Sequence, residues 1–158
     1  MRLIDILSAD LVLPDVVATD RDTLIGEVAS AMHAARPEID ASNAARVLLE
    51  RERLGSTGVG NGFAIPHGKL PQLRGMVACF ARSTAGVAFG SLDQKPAHLF
   101  LVLLAPEGAS SQHLKALALA SRVFRDGDLR ARLLAEPDRR ALWSILCAED
   151  SGANRVDN

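Results

Sequence analysis

His98-Leu99-Phe100-Leu101-Val102-Leu103-Leu104 is the most apolar of the chain's candidate strands. After the entry histidine every side chain is a hydrocarbon, and Pro106-Glu107-Gly108 breaks the run before it could fill a helix. A segment this short, with no polar position to turn toward water, reads as a strand buried on both faces of a sheet. Outward from it, Met76-Val77-Ala78-Cys79-Phe80-Ala81 reads as a second buried strand and Val87-Ala88-Phe89 as a shorter one. Leu11-Val12-Leu13, closed by Pro14, is short enough for an edge strand, where a proline's missing N–H costs least.

The segments around these strands carry helical spacing. Asp22 or Thr23 caps a helix whose Leu24, Ile25, Val28, Ala31 and Met32 share a face and which stops before Pro37. Asp40 or Ser42 opens a second, with Ala44, Val47 and Leu48 as its buried stripe and Gly55 at its end. The charged run Glu50-Arg51-Glu52-Arg53 around its last turns reads mostly as a solvated face. Ser110 or Ser111 caps a third helix that carries Leu114, Leu117, Ala118 and Phe124, with His113 in its first turn. Asp126-Gly127-Asp128 introduces a short helix through Leu133-Leu134, and Pro137 opens a last one with Leu142, Ile145 and Leu146 on one face. The polar, aperiodic residues from Glu149 onward predict a flexible tail over 149–158, leaving 1–148 as the folded domain. Strands and helices mixed along one chain, without repeats or a linker, predict a single α/β domain with helices packed on a mostly buried sheet.

Composition removes several classes of function. At 158 residues, 48% of them hydrophobic, the chain can bury a core without disulfides or metal. Cys79 and Cys147 lie far apart and match no zinc or redox spacing, and Cys79 belongs to an apolar run. A net charge of −1 with interleaved acids and bases, no Tyr and one Trp gives neither the basic footprint nor the stacking surface of a nucleic-acid binder. No run of about 18 apolar residues could cross a membrane. Met1-Arg2-Leu3-Ile4-Asp5 lacks the marks of a signal peptide, so a cytoplasmic protein is expected.

Chemistry concentrates in Gly55-Ser56-Thr57-Gly58-Val59-Gly60-Asn61-Gly62-Phe63-Ala64-Ile65-Pro66-His67-Gly68-Lys69. The glycines let backbone approach a ligand closely, and Pro66 stiffens the approach to a single imidazole. A nucleotide P-loop fails on spacing: five residues separate Gly62 from Gly68, and Leu70 stands where Ser or Thr is required. The glycines at 55, 58, 60 and 62 cannot be set into the dinucleotide fingerprint, and no G-x-S-x-G is present. The histidines at 33, 67, 98 and 113 are too dispersed for a metal site; His33 at a helix end and His98 at a strand entry read as structural.

His67 remains, as a nucleophile or as an exposed loop histidine. If a backbone carbonyl holds one ring N–H, the other nitrogen is aimed outward and ready to attack. Phosphoryl transfer suits such a site, because its transition state asks the protein for positioning and for donors to spread negative charge. Loop N–H groups, Arg51 from the second helix, and the N-terminus of the third helix with His113 are within the chain's means.

The segment Gly-Asn-Gly-Phe-Ala-Ile-Pro-His-Gly-Lys, preceded by Gly-Ser-Thr-Gly and by Arg51-Glu52, resembles the phosphorylation segment of enzyme IIA proteins of the bacterial phosphoenolpyruvate:sugar phosphotransferase system, fructose/mannitol type. The opening Met-Arg-Leu-Ile-Asp-Ile-Leu and the free-standing size resemble the nitrogen-regulatory branch, and the likeness runs from about residue 2 to 147. The resemblance implies a mixed sheet flanked by helices. It makes His67 the phosphorylated residue through Nε2, His113 a contact to the phosphoryl group and Arg51 its stabiliser, with Thr57, Asn61 and Gly62 lining the loop. No cofactor or metal is implied, since the donor is a phosphorylated histidine-containing carrier protein. Potassium-transport systems or sensor kinases are the implied targets. An apolar rim of Phe63, Leu70 and Leu73 is expected to receive the carrier. Two other readings remain: a sugar-specific enzyme IIA serving a permease subunit, and a binding regulator that is not phosphorylated.

Overall fold

The structure, a computed structural model, describes residues 1–153. In chain order its strands are β1 (Val12–Leu13), β2 (Gly58–Gly60), β3 (Phe63–Ala64), β4 (His67–Leu70), β5 (Val77–Val87) and β6 (Ala97–Pro106). The helices are α1 (Arg21–Ala35), α2 (Ala41–Arg53), α3 (Ser110–Phe124), α4 (Gly127–Ala135) and α5 (Arg139–Ala153), and a 3-10 turn at Leu3–Asp5 precedes them all. The apolar run at 98–104 is the heart of β6, buried from Leu99 through Ala105. The sheet runs β1-β5-β6-β3-β2, with β4 also paired to β6. β5 is antiparallel to β6, β1 is parallel to β5, and β3 and β4 are parallel to β6, so the sheet is mixed. α1 and α2 pack on each other and reach β5 and β4; α3 and α4 cover β6, and α5 covers β1. No helix among the described residues is long and apolar enough to cross a membrane.

Several elements differ from the sequence reading. Of the short strand expected at 87–89, Val87 is the last residue of β5, whose register shifts between Arg82 and Val87, and Ala88 makes an isolated bridge to Asp20. The sequence reading ends one strand at Ala81, before the polar Arg82-Ser83-Thr84. Yet Arg82, only 6% exposed, donates to the carbonyls of Leu133, Leu134 and Pro14, and Ser83 Oγ accepts the Gly86 N–H, so the strand continues with its polar groups satisfied. α1 is capped by Asp20, which accepts the Thr23 N–H at 2.9 Å, not by Asp22 or Thr23. Asp40 caps α2 as expected. At α3 neither serine caps: the N-cap is Ala109, which offers no side-chain acceptor. The buried face of α3 is His113, Ala116, Leu119, Ala120, Val123 and Phe124, leaving Leu114 69% exposed. α5 runs past Glu149 to Ala153; the rest of the tail expected over 149–158 lies outside the described residues.

The glycine-rich stretch is three short strands, where the sequence suggested one loop. β3 and β4 lie on the same edge of β6 in one register, Phe63 opposite Leu99 and His67 opposite Leu103. Between them Ile65-Pro66 interrupts the ladder, because proline has no N–H to give. Gly68 then lets β4 approach α2: a methyl there would sit 2.9 Å from Val47 Cγ2 and 3.4 Å from the Val47 carbonyl carbon. Val47 is β-branched and has little rotamer freedom with which to yield. Gly68→Ala is therefore expected to lower stability by about 1–3 kcal/mol in urea unfolding, and Val47→Ala in the same chain to recover most of it. Equal loss with and without Val47→Ala would refute this contact as the cause.

Candidate active site

The break in the edge strand places His67 at the start of β4 with its backbone in the sheet and its ring half-buried. Its Nδ1 lies 2.8 Å from the Ile65 carbonyl oxygen. A carbonyl can only accept, so Nδ1 carries the proton and Nε2 carries the lone pair. At the other edge of the ring, Arg51 Nε donates to Nε2 at 3.2 Å, which requires the same tautomer. Burial pushes the His67 pKa below 6.5; the Ile65 bond opposes this, Arg51 adds to it, and Glu52 opposes it. The ring is neutral near pH 7, with one nitrogen available as a base or nucleophile.

Arg51 reaches the ring from the last turn of α2, where its second contact is Nη1 to the Gly55 carbonyl at 2.8 Å. The helix end thus supplies both the cation and the acceptor that steadies it. His113 comes from the first turn of α3, and its ring meets His67 edge-on, with centroids 5.3 Å apart and planes at 77°. It is 7% exposed, and its Nε2 has no hydrogen-bond partner among the described residues. Burial, then the neighbouring His67 and Lys69, hold its pKa below 6.5. Lys69, two residues beyond His67 on β4, donates from Nζ to Ser110 Oγ at 3.0 Å at the start of α3. An unpartnered buried nitrogen, a helix N-terminus without a side-chain cap and two cations beside a pair of neutral imidazoles form a site suited to an anionic group.

The other expected residues divide. Thr57 is 5% exposed and lies between α2 and β3, bonded to Glu52. Asn61 and Gly62 form the β2–β3 turn with φ of 58° and 80°; the Asn61 N–H goes to Asp93, and the Gly62 carbonyl accepts from His98 and Leu99. Those bonds shape the turn and do not reach His67. The expected rim is corrected: Phe63, Leu70 and Leu73 are 7%, 3% and 7% exposed, and Phe63 stacks on Phe124 in the core. The exposed apolar side chains next to site residues are Leu54, 84% exposed in the turn after α2, and Leu114, 69% exposed beside His113.

Glu52 was missed in the charged run. It is 4% exposed, and its carboxylate accepts both the Thr57 N–H, at 3.1 Å, and the Thr57 hydroxyl. A signal existed: Ala44 and Leu48 of the buried stripe are followed, one helical turn on, by Glu52.

Comparison with known proteins agrees with this architecture. The family model for the phosphoenolpyruvate-dependent sugar phosphotransferase system, EIIA 2, matches residues 5–148. A nitrogen regulatory protein of Bradyrhizobium diazoefficiens is 40% identical over 149 residues, covering 92% of this chain and 95% of that one. One of Pseudomonas aeruginosa is 34% identical over 152 residues, covering 96% of this chain and 99% of that one. The crystal structure of nitrogen regulatory protein IIA-Ntr from Neisseria meningitidis superposes with a TM-score of 0.82 at 29% identity, covering 90% of this chain and 97% of that one. With the match spanning nearly all of the described domain, the chain belongs to the EIIA 2 family of the phosphoenolpyruvate-dependent sugar phosphotransferase system.

Proposed function

We propose that this protein is a regulatory phosphocarrier that takes a phosphoryl group on His67 Nε2 from a phosphohistidine of a carrier protein. The observation that carries this reading is the tautomer: the Ile65 carbonyl claims Nδ1–H, so the lone pair is on Nε2, which Arg51 meets directly, with the His113 ring edge-on to the same imidazole. In the transfer, the Nε2 lone pair forms a bond to phosphorus as the N–P bond of the donor breaks. The donor imidazole keeps the electron pair of the broken bond, and His67 keeps its Nδ1 proton, so no separate base is needed. Arg51 Nε then turns its donor from Nε2 to a phosphoryl oxygen, and His113 donates to another from Nε2 in its neutral Nε2–H form. Both pairings offset the roughly two negative charges that arrive.

The regulatory part of the proposal rests on the names of the relatives, both nitrogen regulatory proteins, and puts the output on protein partners such as potassium-transport systems or sensor kinases. The family description, which names a sugar phosphotransferase system, favours a second reading, a sugar-specific enzyme IIA that passes phosphate to a permease subunit. Incubation with the phosphorylated carrier tests the shared claim: the protein gains acid-labile, base-stable phosphate. Failure to label refutes it. Onward transfer to a sugar-permease domain would favour the second reading over the regulatory one.

His113→Ala is expected to slow labelling roughly 10- to 100-fold while the phosphate stays on His67, because a donor to the transferring group is lost and the nucleophile is kept. Peptide mapping of the labelled variant checks this; phosphate found elsewhere would show the two histidines misassigned.

A further inference from the structure

Behind His67 runs a continuous chain of hydrogen bonds that ends on a buried carboxylate. His67 Nδ1–H donates to the Ile65 carbonyl at 2.8 Å. The N–H of the same Ile65 donates to the Thr57 carbonyl at 3.1 Å, across the gap where Pro66 interrupts the strand ladder. The N–H and hydroxyl of Thr57 both donate to Glu52, and Glu52 projects from the turn of α2 that also carries Arg51. The residue that fixes the proton on the ring is therefore fixed by Thr57, and Thr57 is fixed by Glu52.

We propose that Glu52 is a positioning residue for His67: acting through Thr57 and the Ile65 peptide, it holds the imidazole in its Nδ1–H form with Nε2 presented to the incoming group. A carboxylate is costly at 4% exposure unless its oxygens are satisfied. A packing role at this position of the stripe would be served by leucine, the residue one turn earlier. Glutamate there accepts both donors of one threonine, which fixes the segment entering β2 in rotation as well as in position. Because Glu52 and Arg51 are neighbours on one helical turn, the same element sets the ring from both edges: Arg51 at Nε2 directly, Glu52 at Nδ1 through two intervening residues. Ile65 could accept from His67 without this support, but it sits in a two-residue gap between β3 and β4 with no ladder partner of its own on the β2 side other than Thr57. The charged and titratable groups that act on the His67 ring are Arg51 and Glu52 from α2, with the His113 ring from α3 packed edge-on against it; Lys69 from β4 acts on His113.

This inference rests on the phosphocarrier reading for its consequence in rate, but not for its main readout. Long-range proton–nitrogen NMR on the full chain reports the His67 tautomer without any phosphoryl donor. Wild type and Thr57→Ser are expected to show the Nδ1–H form alone. Thr57→Val, which keeps the shape of threonine but removes the hydroxyl, and Glu52→Gln, which removes the charge, are expected to show a mixture of tautomers. Both should be labelled by the carrier roughly tenfold more slowly. Glu52→Gln should also lower the His67 pKa, since a negative charge that favours the imidazolium is gone. A merely structural role would move the melting temperature and leave the tautomer alone. Folded variants with the wild-type tautomer overturn the proposal. If Glu52→Gln does not fold, the Thr57→Val and Thr57→Ser pair decides, and identical tautomers in the two overturn it. If the tautomer shifts but the carrier labels no form of the protein, the positioning role stands and the phosphocarrier reading falls.

Discussion

His67→Ala is expected to take up no phosphate from the phosphorylated carrier, under conditions in which the wild type is expected to be labelled to completion. The expected loss is total because no other group combines the features of this one. His113 is buried at 7% exposure, and its Nε2 is closed off from solvent, so an incoming carrier cannot reach it as a nucleophile. His33 and His98 hold their Nδ1 atoms against the carbonyls of Ile39 and Ser83, at the end of α1 and at the start of β6, with no arginine donor among the described residues set against either ring. The replacement removes a half-buried ring from the edge of the sheet. It leaves the backbone pairing of β4 to β6 intact, so the variant should still melt cooperatively. A folded variant that labels at the wild-type rate would place the nucleophile elsewhere and overturn the reading of the site. Acid lability matters as a control: a phosphoryl group on nitrogen is lost in acid and kept in base, whereas one on a serine hydroxyl survives acid.

Much of this was legible in the sequence for a physical reason that also marks its limit. A run such as Leu99–Leu104 has one solution, burial on both faces, and it became the central strand. His67 stood out because proline and glycine on either side constrain the backbone enough to make a single imidazole conspicuous. Glu52 was illegible by the same logic of residue type. A charge at the end of a helix is ordinarily solvated, and only its place one turn beyond Ala44 and Leu48 showed otherwise. Phe63, Leu70 and Leu73 failed as a docking rim because the stretch around His67 was read as loop. Once it is strand, alternate side chains turn inward, and Phe63 stacks on Phe124 while Leu70 closes the end of β4. The caps show a milder version. Asp20, Asp22 and Thr23 all have suitable oxygens, and the backbone conformation of Asp20, extended at φ −126°, decided among them.

Arg51→Met is expected to give the second largest loss, about 100- to 1000-fold in the rate of transfer, the usual cost of removing one preorganised donor from a developing anion. Methionine keeps much of the length and apolar stem of arginine, so the loss reports on the guanidinium and not on a cavity. A pH profile separates its two roles. The His67 pKa lies below 6.5 chiefly because of burial, with Arg51 pushing the same way. Transfer by wild type therefore has its acid limb below the ordinary histidine range, where protonation occupies Nε2. Without the arginine the imidazolium forms more readily, and the acid limb moves to higher pH. The loss in Arg51→Met should consequently be greater near pH 6 than near pH 8. Arg51→Lys divides charge from geometry. A lysine restores the positive charge and with it most of the acid limb, but it lacks the planar fork that reaches the Gly55 carbonyl and His67 Nε2 together, so the rate at high pH should remain low. An acid limb unmoved in Arg51→Met, with a rate within about twofold of wild type, would mean that the guanidinium rests against Nε2 without taking part in the transfer.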